Sequence, residues 1–196
     1  MKRRFLIGCL SIGVALCAMA PAFAAGDSTA SQYSLGDQTL SINAGTFIPL
    51  FLFGGNPQVG NMNLSVGGVG TIDWAAYLSP HWRIGASLGG TFTFDPNYTL
   101  LLMVPIVAKI SYLIDFYPWE VPLTFGAGMN IIKYSADSTI DLLLKPGTGI
   151  LWTYNSSWSF GLNLNWWWDM QFSGAARNGF TAGNFLEVSL SAFYHY

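Results

Sequence analysis

Residues 158–170 read WSFGLNLNWWWDM, a stretch in which every second residue is large and apolar. The residues between them are small or polar, apart from Trp167. A period of two over this length is typical of a β-strand with one apolar and one polar face. Strands of soluble proteins have about 5–6 residues, whereas a strand that crosses a membrane needs about 9–11. The stretch therefore predicts one strand of a transmembrane β-barrel.

The composition of the whole chain agrees with a barrel. Only 9% of the 196 residues are charged, against about 25% in ordinary soluble domains, and 16% are aromatic. After the first 24 residues, no window holds the roughly 18 uninterrupted apolar residues that predict a membrane helix. Alternating strands explain this composition, because they contribute apolar residues without forming long apolar runs.

The first 24 residues have the pattern of a secretory signal peptide: a basic start, an apolar centre and Ala-Phe-Ala at 22–24. We expect cleavage after Ala24, a periplasmic N-terminal lead over 25–37 and a barrel over 38–196. An uncleaved anchor is the alternative, although the apolar run is too short to span a bilayer as a helix.

Both cysteines, Cys9 and Cys17, lie within this signal segment, so the remaining chain can form no disulfide and no thiolate metal site. Cys17 could instead be lipidated, as in a lipoprotein. Leu16 argues against lipidation, because a small residue is expected before such a cysteine. Removal of residues 1–24 leaves five basic and ten acidic residues, a balance that argues against nucleic acid as a partner.

Seven further stretches predict strands. They cover residues 38–53, 64–78, 82–94, 99–114, 123–134, 142–154 and 184–196. We therefore predict an all-β fold, an eight-stranded antiparallel up-and-down transmembrane β-barrel with both ends of the chain on the periplasmic side.

Two of these strands have alternatives. Residues 99–114 could be helical by composition, but Pro105 and the alternating position of Lys109 favour a strand. Residues 145–147, Lys-Pro-Gly, interrupt the strand at 142–154. The register of both strands stays open by a residue, and a slip of one residue would exchange their faces. A turn rich in aromatic residues and prolines is expected at 115–122, and a polar loop at 135–141.

Four charged residues fall on inward positions of the predicted barrel: Asp73, Arg83, Lys109 and Glu187. Unpaired charges are costly in a narrow interior, so these side chains should pair across the lumen. We expect a polar plug near the periplasmic end, with Asp73 between Arg83 and Lys109. The alternative is a set of solvated inward residues without a gating role.

Apolar residues near the predicted outer rim form a candidate solute pocket. They are Phe47, Leu50, Phe51, Phe53, Leu101, Met103 and Trp167. A barrel of eight strands is just wide enough to be filled by side chains or to hold one small ligand.

Catalysis is not expected. Acyl transfer or hydrolysis needs a nucleophile beside a general base, usually His. The two histidines, His81 and His195, both fall at the predicted periplasmic rim, without a Ser-His-acid pattern near the outer loops. The chain also lacks the ligand spacing of a metal site. The sequence therefore predicts no catalytic residue, no metal and no cofactor.

The last strand ends the chain on an aromatic residue preceded by apolar residues at alternate positions. Val188, Leu190, Tyr194 and Tyr196 carry this pattern, which resembles the C-terminal signature of bacterial outer-membrane barrels. The resemblance implies insertion by the barrel assembly machinery with the help of periplasmic chaperones. It also implies a location in the outer membrane, surrounded by its lipids.

The chain as a whole resembles the small eight-stranded outer-membrane proteins of the W, X and A types. The W type is nearest, on the Gly36-Asp37 pair and the spacing of Ala44, Gly45 and Pro49. This resemblance implies an apolar pocket that is open to the exterior and passage of small hydrophobic molecules. The expected function is thus a narrow channel or binding barrel for small hydrophobic solutes. The alternative is a structural or surface-interaction barrel with a closed lumen, which serves envelope integrity or adhesion.

Overall fold

The computed structural model describes residues 33–54, 59–60, 62–135, 137–171 and 181–196. These residues form long antiparallel strands and one short one. The strands are β1 (Gln38–Phe53), β2 (Val59–Gly60), β3 (Gly67–Tyr77), β4 (Trp82–Phe94), β5 (Leu100–Phe116), β6 (Trp119–Tyr134), β7 (Asp137–Thr153), β8 (Trp158–Gln171) and β9 (Thr181–His195).

The eight long strands close into a barrel. Each long strand pairs with the next along the chain, and β9 returns to pair with β1, as in the facing residues Leu40 and Tyr194. The two-residue strand β2 adds to the far end of β1, where Leu52 faces Gly60. Closure leaves the long strands without a free edge. The predicted eight-stranded antiparallel barrel is confirmed.

Large apolar side chains cover the outside of the barrel, the reverse of a soluble protein. Ile72, Leu88, Ile150, Leu162 and Leu190 are each at least half exposed, and each lies at an alternate position of its strand. A continuous apolar exterior of this kind is stable only against lipid.

Among the residues whose structure is described, no helix is long and apolar enough to cross a membrane.

The two ends of the barrel differ. At the end we call the turn end, β5 and β6 are joined by Tyr117 and Pro118 alone, and aromatic rings such as Trp158 and Tyr194 pack on the outside, 5.1 Å apart. At the opposite, loop end, β4 is joined to β5 by residues 95–99. Aromatic belts of this type lie at the interface of a membrane with water.

Several strands are longer than the sequence predicts. The expected turn at 115–122 is wrong, because Asp115 faces Glu120 and Phe116 faces Trp119 across a paired ladder. The expected loop at 135–141 is also shorter, since β7 begins at Asp137. Prolines and aromatic residues at 115–122, and polar residues at 135–141, favour irregular structure by local propensity. Pairing with a neighbouring strand outweighs this propensity.

The strand alternatives are resolved as well. Residues Leu100–Phe116 form a strand, not a helix, and Lys109 faces the interior. The β7 strand continues through Pro146, although no pair joins β7 to β8 between the facing pairs Leu144–Trp168 and Gly147–Asn165. A proline removes one donor from the ladder and leaves the strand direction intact.

Candidate functional site: a sealed lumen below an apolar vestibule

The turn end of the lumen is sealed by Tyr33, which precedes the first strand. Its ring stacks on Tyr77 at a centroid distance of 4.3 Å and on His195 at 5.1 Å. Its hydroxyl donates a hydrogen bond to Glu120 Oε1 at 2.9 Å. Burial and the nearby Tyr77 and Glu120 raise the pKa of Tyr33 far above its usual range, so the phenol stays neutral. The sequence assigns Tyr33 to the N-terminal lead at 25–37 and does not predict these contacts.

Backbone pairing holds the segment before β1 against the barrel. The N–H of Gly36 donates to the carbonyl of Tyr77 at 3.0 Å, and the N–H of Tyr77 donates to Asp37 at 2.9 Å. Gly36 has a φ of 97°, which favours glycine. The Gly36-Asp37 pair thus turns the chain so that Tyr33 enters the barrel.

The middle of the lumen contains two ion pairs. Lys109 Nζ lies 2.5 Å from Asp73 Oδ2, and Lys145 Nζ lies 2.7 Å from Glu187 Oε2. Trp167 Nε1 donates to the same Glu187 oxygen at 2.8 Å. The remaining polar cavity has a volume of about 40 Å³, room for about three water molecules.

The arrangement of the four predicted plug residues differs from the expectation. Asp73 forms its ion pair with Lys109 and not with Arg83. Asp73 faces Ser87 of β4, and Arg83 lies four residues nearer the turn end, where it faces Tyr77. Four residues of strand span about 13 Å, beyond a direct contact. The expected position of Asp73 between Arg83 and Lys109 is therefore wrong. Arg83 instead lies over the ring of Phe193, 5.5 Å from its centroid.

An apolar layer closes the lumen above these ion pairs. Phe47, Met103, Leu143 and Trp167 are completely buried there, and the Phe47 ring stacks on Phe185 at 4.6 Å. These buried side chains fill the lumen at this level and separate the polar cavity from the loop end.

Above the apolar layer, the loop end opens into a cavity of about 600 Å³, which we call the vestibule. Its apolar walls include Leu52, Leu64, Leu101, Ile132 and Phe185. Four aspartates, Asp95, Asp137, Asp141 and Asp169, also line it. A cavity of this size with apolar walls and polar groups is typical of a small-molecule site.

The seven residues of the predicted solute pocket are divided by the structure. Phe47, Met103 and Trp167 lie in the apolar layer, and Leu101 packs against it. A bulge between Pro49 and Phe51 leaves Leu50 outside the paired register. After it the alternation is inverted, so Leu52 lines the vestibule in place of its neighbours.

Two further residues of the predicted solute pocket, Phe51 and Phe53, do not line the vestibule. The Phe51 ring lies 6.4 Å from that of Trp166, which is itself exposed on the outer face, and Phe53 is 43% exposed. The bulge could not be read from the sequence, since residues 47–53 are nearly all apolar and show no alternation.

One of the two histidines, His195, contacts a serine near the turn end. Ser159 Oγ lies 2.9 Å from His195 Nε2, but His195 Nδ1 has no hydrogen-bond partner among the described residues. Ser159 is completely buried beneath the Tyr33 seal. A Ser-His-acid triad needs an oriented base and an accessible nucleophile. Across the described part of the chain, no three His, Cys, Asp or Glu residues are grouped to hold a metal ion.

The residues of the predicted assembly signal lie along β9 and its end. Leu190, Tyr194 and Tyr196 are exposed on the outer face, and Val188 is half-buried on the same face.

Comparisons with known proteins give relatives in two organisms. A protein of Borreliella burgdorferi is 28% identical over 177 residues, which cover 79% of this chain and 81% of the relative. A protein of Treponema pallidum is 28% identical over 142 residues, or 64% of this chain. The match spans 62% of that second relative's length. Both are described only as uncharacterized proteins.

Two solved structures share the fold. Neisserial surface protein A superposes with a TM-score of 0.61 at 12% identity, covering 81% of this chain and 96% of its own. OprG, an outer membrane protein of Pseudomonas aeruginosa, superposes with a TM-score of 0.53 at 9% identity. The match covers 84% of this chain and 98% of OprG. A family model without a functional description matches residues 21–194. This match spans most of the chain, so the protein belongs to that family, and its fold is the closed eight-stranded barrel of the solved outer-membrane proteins.

Proposed function

We propose that the protein is an outer-membrane barrel that binds small apolar solutes in its vestibule and does not conduct water or ions. The observation that carries this proposal is the apolar cavity of about 600 Å³ above a closed lumen. The polar cavity beneath it is only about 40 Å³ and is separated by the apolar layer. Of the two forms of solute protein that the sequence predicts, this contrast favours a binding barrel over a narrow channel.

The orientation and insertion of the barrel are part of the proposal. Export by the signal peptide would place the turn end in the periplasm and the vestibule on the outside, with outer-membrane lipids around the barrel. The barrel assembly machinery, with periplasmic chaperones, would recognise the exposed apolar residues of β9, such as Leu190 and Tyr194. The W-type likeness supports the same function, since it implies an apolar pocket open to the exterior. We propose no catalytic role.

Two measurements on the refolded barrel test the proposal. We expect no conductance in planar bilayers, because the lumen is closed. We expect saturable binding of octanol, with about one site for each barrel. Leu101→Asn should weaken octanol binding by about tenfold, since burying a Leu side chain is worth about 1.5–3 kcal/mol. The matched control is Val66→Asn, at an exposed apolar residue that does not line the vestibule.

Each contrary outcome has a distinct meaning. Reproducible channel currents would contradict the closed lumen and favour the narrow-channel function. A folded, silent barrel without octanol binding would favour the structural or surface-interaction function, which the closed lumen also supports.

A further inference from the structure

Three polar residues lie side by side at the floor of the vestibule on β6, β7 and β8. Asn130 on β6 directly faces Asp141 on β7. Asn130 Nδ2 donates a hydrogen bond to Asp169 Oδ2 on β8 at 2.7 Å. All three side chains are more than nine-tenths buried, and Asp141 and Asp169 line the vestibule. We call this group the acidic floor.

The acidic floor contains buried oxygen atoms that accept no hydrogen bond. Within the described residues, Asp141 Oδ1, Asp169 Oδ1 and Asn130 Oδ1 are buried and have no hydrogen-bond partner. The unpartnered amide oxygen of Asn130 is independent of the two carboxylates, because it is neutral and completely buried. A buried polar atom without a partner is destabilising, and a buried unpaired charge is more so.

The two interior lysines do not compensate the acidic floor. Lys109 is paired with Asp73, and Lys145 is paired with Glu187. Lys133, which precedes the end of β6 by one residue, is exposed. Asp141 and Asp169 are therefore buried carboxylates with no basic partner among the described residues, at the floor of the vestibule.

We propose that the vestibule selects amphiphilic cations: a primary ammonium group would bind to the acidic floor, and its alkyl chain would lie against the apolar walls. This inference rests on the proposed function and specifies its ligand. A primary ammonium has three donors, and two of the unpartnered oxygens, on Asp141 and Asp169, belong to residues that line the vestibule. Leu101, Ile132 and Phe185 supply the apolar contact for the chain.

A metal ion fits the acidic floor less well. Calcium takes six to eight oxygen ligands and magnesium retains several waters in an octahedral shell. The acidic floor offers two carboxylates and one amide oxygen, and the walls above it are mainly apolar. An alkyl ammonium uses both the oxygens and the walls.

The test compares three probes of equal chain length on the refolded barrel at neutral pH: octylammonium, octanol and octanoate. We expect octylammonium to bind about tenfold more tightly than octanol, since hydrogen bonds between charged groups are stronger than those of a neutral hydroxyl. Octanoate should bind more weakly than octanol. In the double variant Asp141→Asn and Asp169→Asn, the preference for octylammonium should disappear, while octanol binding persists and shows that the barrel is folded.

The matched control is Asp115→Asn, which removes one carboxylate at the exposed turn end of β5 and should keep the preference. Equal binding of octylammonium and octanol to the unmodified protein would overturn this inference and leave the proposed function standing. A preference that survives the double variant would also overturn it. If calcium alone saturates the protein and displaces octylammonium, the acidic floor is a metal site and the inference is wrong. If none of the three probes binds, the proposed function fails, and this inference with it.

Discussion

Lys145 Nζ lies 2.7 Å from Glu187 Oε2, and the two side chains are only 5% and 2% exposed. This pair joins β7 to β9 across the lumen, beneath the apolar layer. The Lys145 ammonium also lies 4.6 Å from the centroid of the Trp167 ring. The aromatic ring and the carboxylate together compensate a charge that would otherwise be isolated in a nearly dry interior.

The first prediction concerns this ion pair. Lys145→Met leaves Glu187 charged and without its basic partner. The substitution should therefore lower the free energy of unfolding by about 3–5 kcal/mol. Urea unfolding of the barrel in micelles measures the change. The double variant Lys145→Met and Glu187→Gln should recover part of the loss, because it removes the uncompensated charge. The control Lys133→Met, at an exposed lysine, should change stability little. A loss from Lys145→Met no larger than that of the control would contradict the prediction.

The second prediction concerns the seal at the turn end. Tyr33→Ala removes a buried ring and should cost about 3–5 kcal/mol of stability, as for other large buried aromatic residues. Tyr33→Phe keeps the ring and removes the hydroxyl with its hydrogen bond to Glu120, at a cost of about 1.5–3 kcal/mol if that carboxyl is charged. Tyr117→Ala, in an exposed turn at the same end, is the control. If Tyr33→Ala and Tyr117→Ala unfold at the same urea concentration, Tyr33 does not seal the barrel.

The third prediction concerns the closure of β1 on β9. A Cβ atom at Gly45 would lie 2.1 Å from the backbone oxygen of Val188, too close for the two strands to keep their spacing. Gly45→Ala should therefore destabilise the barrel by about 1–3 kcal/mol. A Cβ at Gly90 would meet no described heavy atom within 4 Å, so Gly90→Ala is the matched control. Equal unfolding midpoints for the two variants would show that β1 and β9 can separate without cost.

The fourth prediction concerns the pKa of Asp95, in the turn between β4 and β5. The Tyr134 hydroxyl donates a hydrogen bond to Asp95 Oδ2 at 2.7 Å, and the backbone N–H of Thr99 donates to Oδ1 at 2.8 Å. These bonds, the first above all, lower the pKa of Asp95 below its usual 3.8. Tyr134→Phe should raise this pKa, as measured by NMR titration of the carboxyl.

The sign of the pH dependence follows from this lowered pKa. The carboxylate stabilises the turn above its ordinary pKa, and the contribution is lost as the pH falls through the lower folded value. Tyr98→Phe, in the same turn and highly exposed, is the control and should leave the titration unchanged. An identical Asp95 pKa in the unmodified protein and in Tyr134→Phe would refute the role of the hydroxyl.

The candidate site could be predicted only in part. Inward positions of Asp73 and Lys109 followed from alternation, and these two residues meet. The inward position of Asp141 could not be predicted, because the polar residues at 135–141 indicate a loop. In the structure β7 begins at Asp137. Once β7 is known to begin there, alternation places Asp141, Leu143 and Lys145 on one inward face.

The sequence by itself determined the architecture, because alternation of apolar and polar residues is a local property that each strand carries in its own residues. Strands such as Trp158–Gln171 could be recognised without their neighbours. The tertiary structure alone decided which inward residues meet. That outcome depends on register, on the bulge after Pro49 and on contacts between distant residues, such as Tyr33 with Glu120. The acidic floor exists for the same reason: three separate strands must be aligned before Asn130, Asp141 and Asp169 lie side by side.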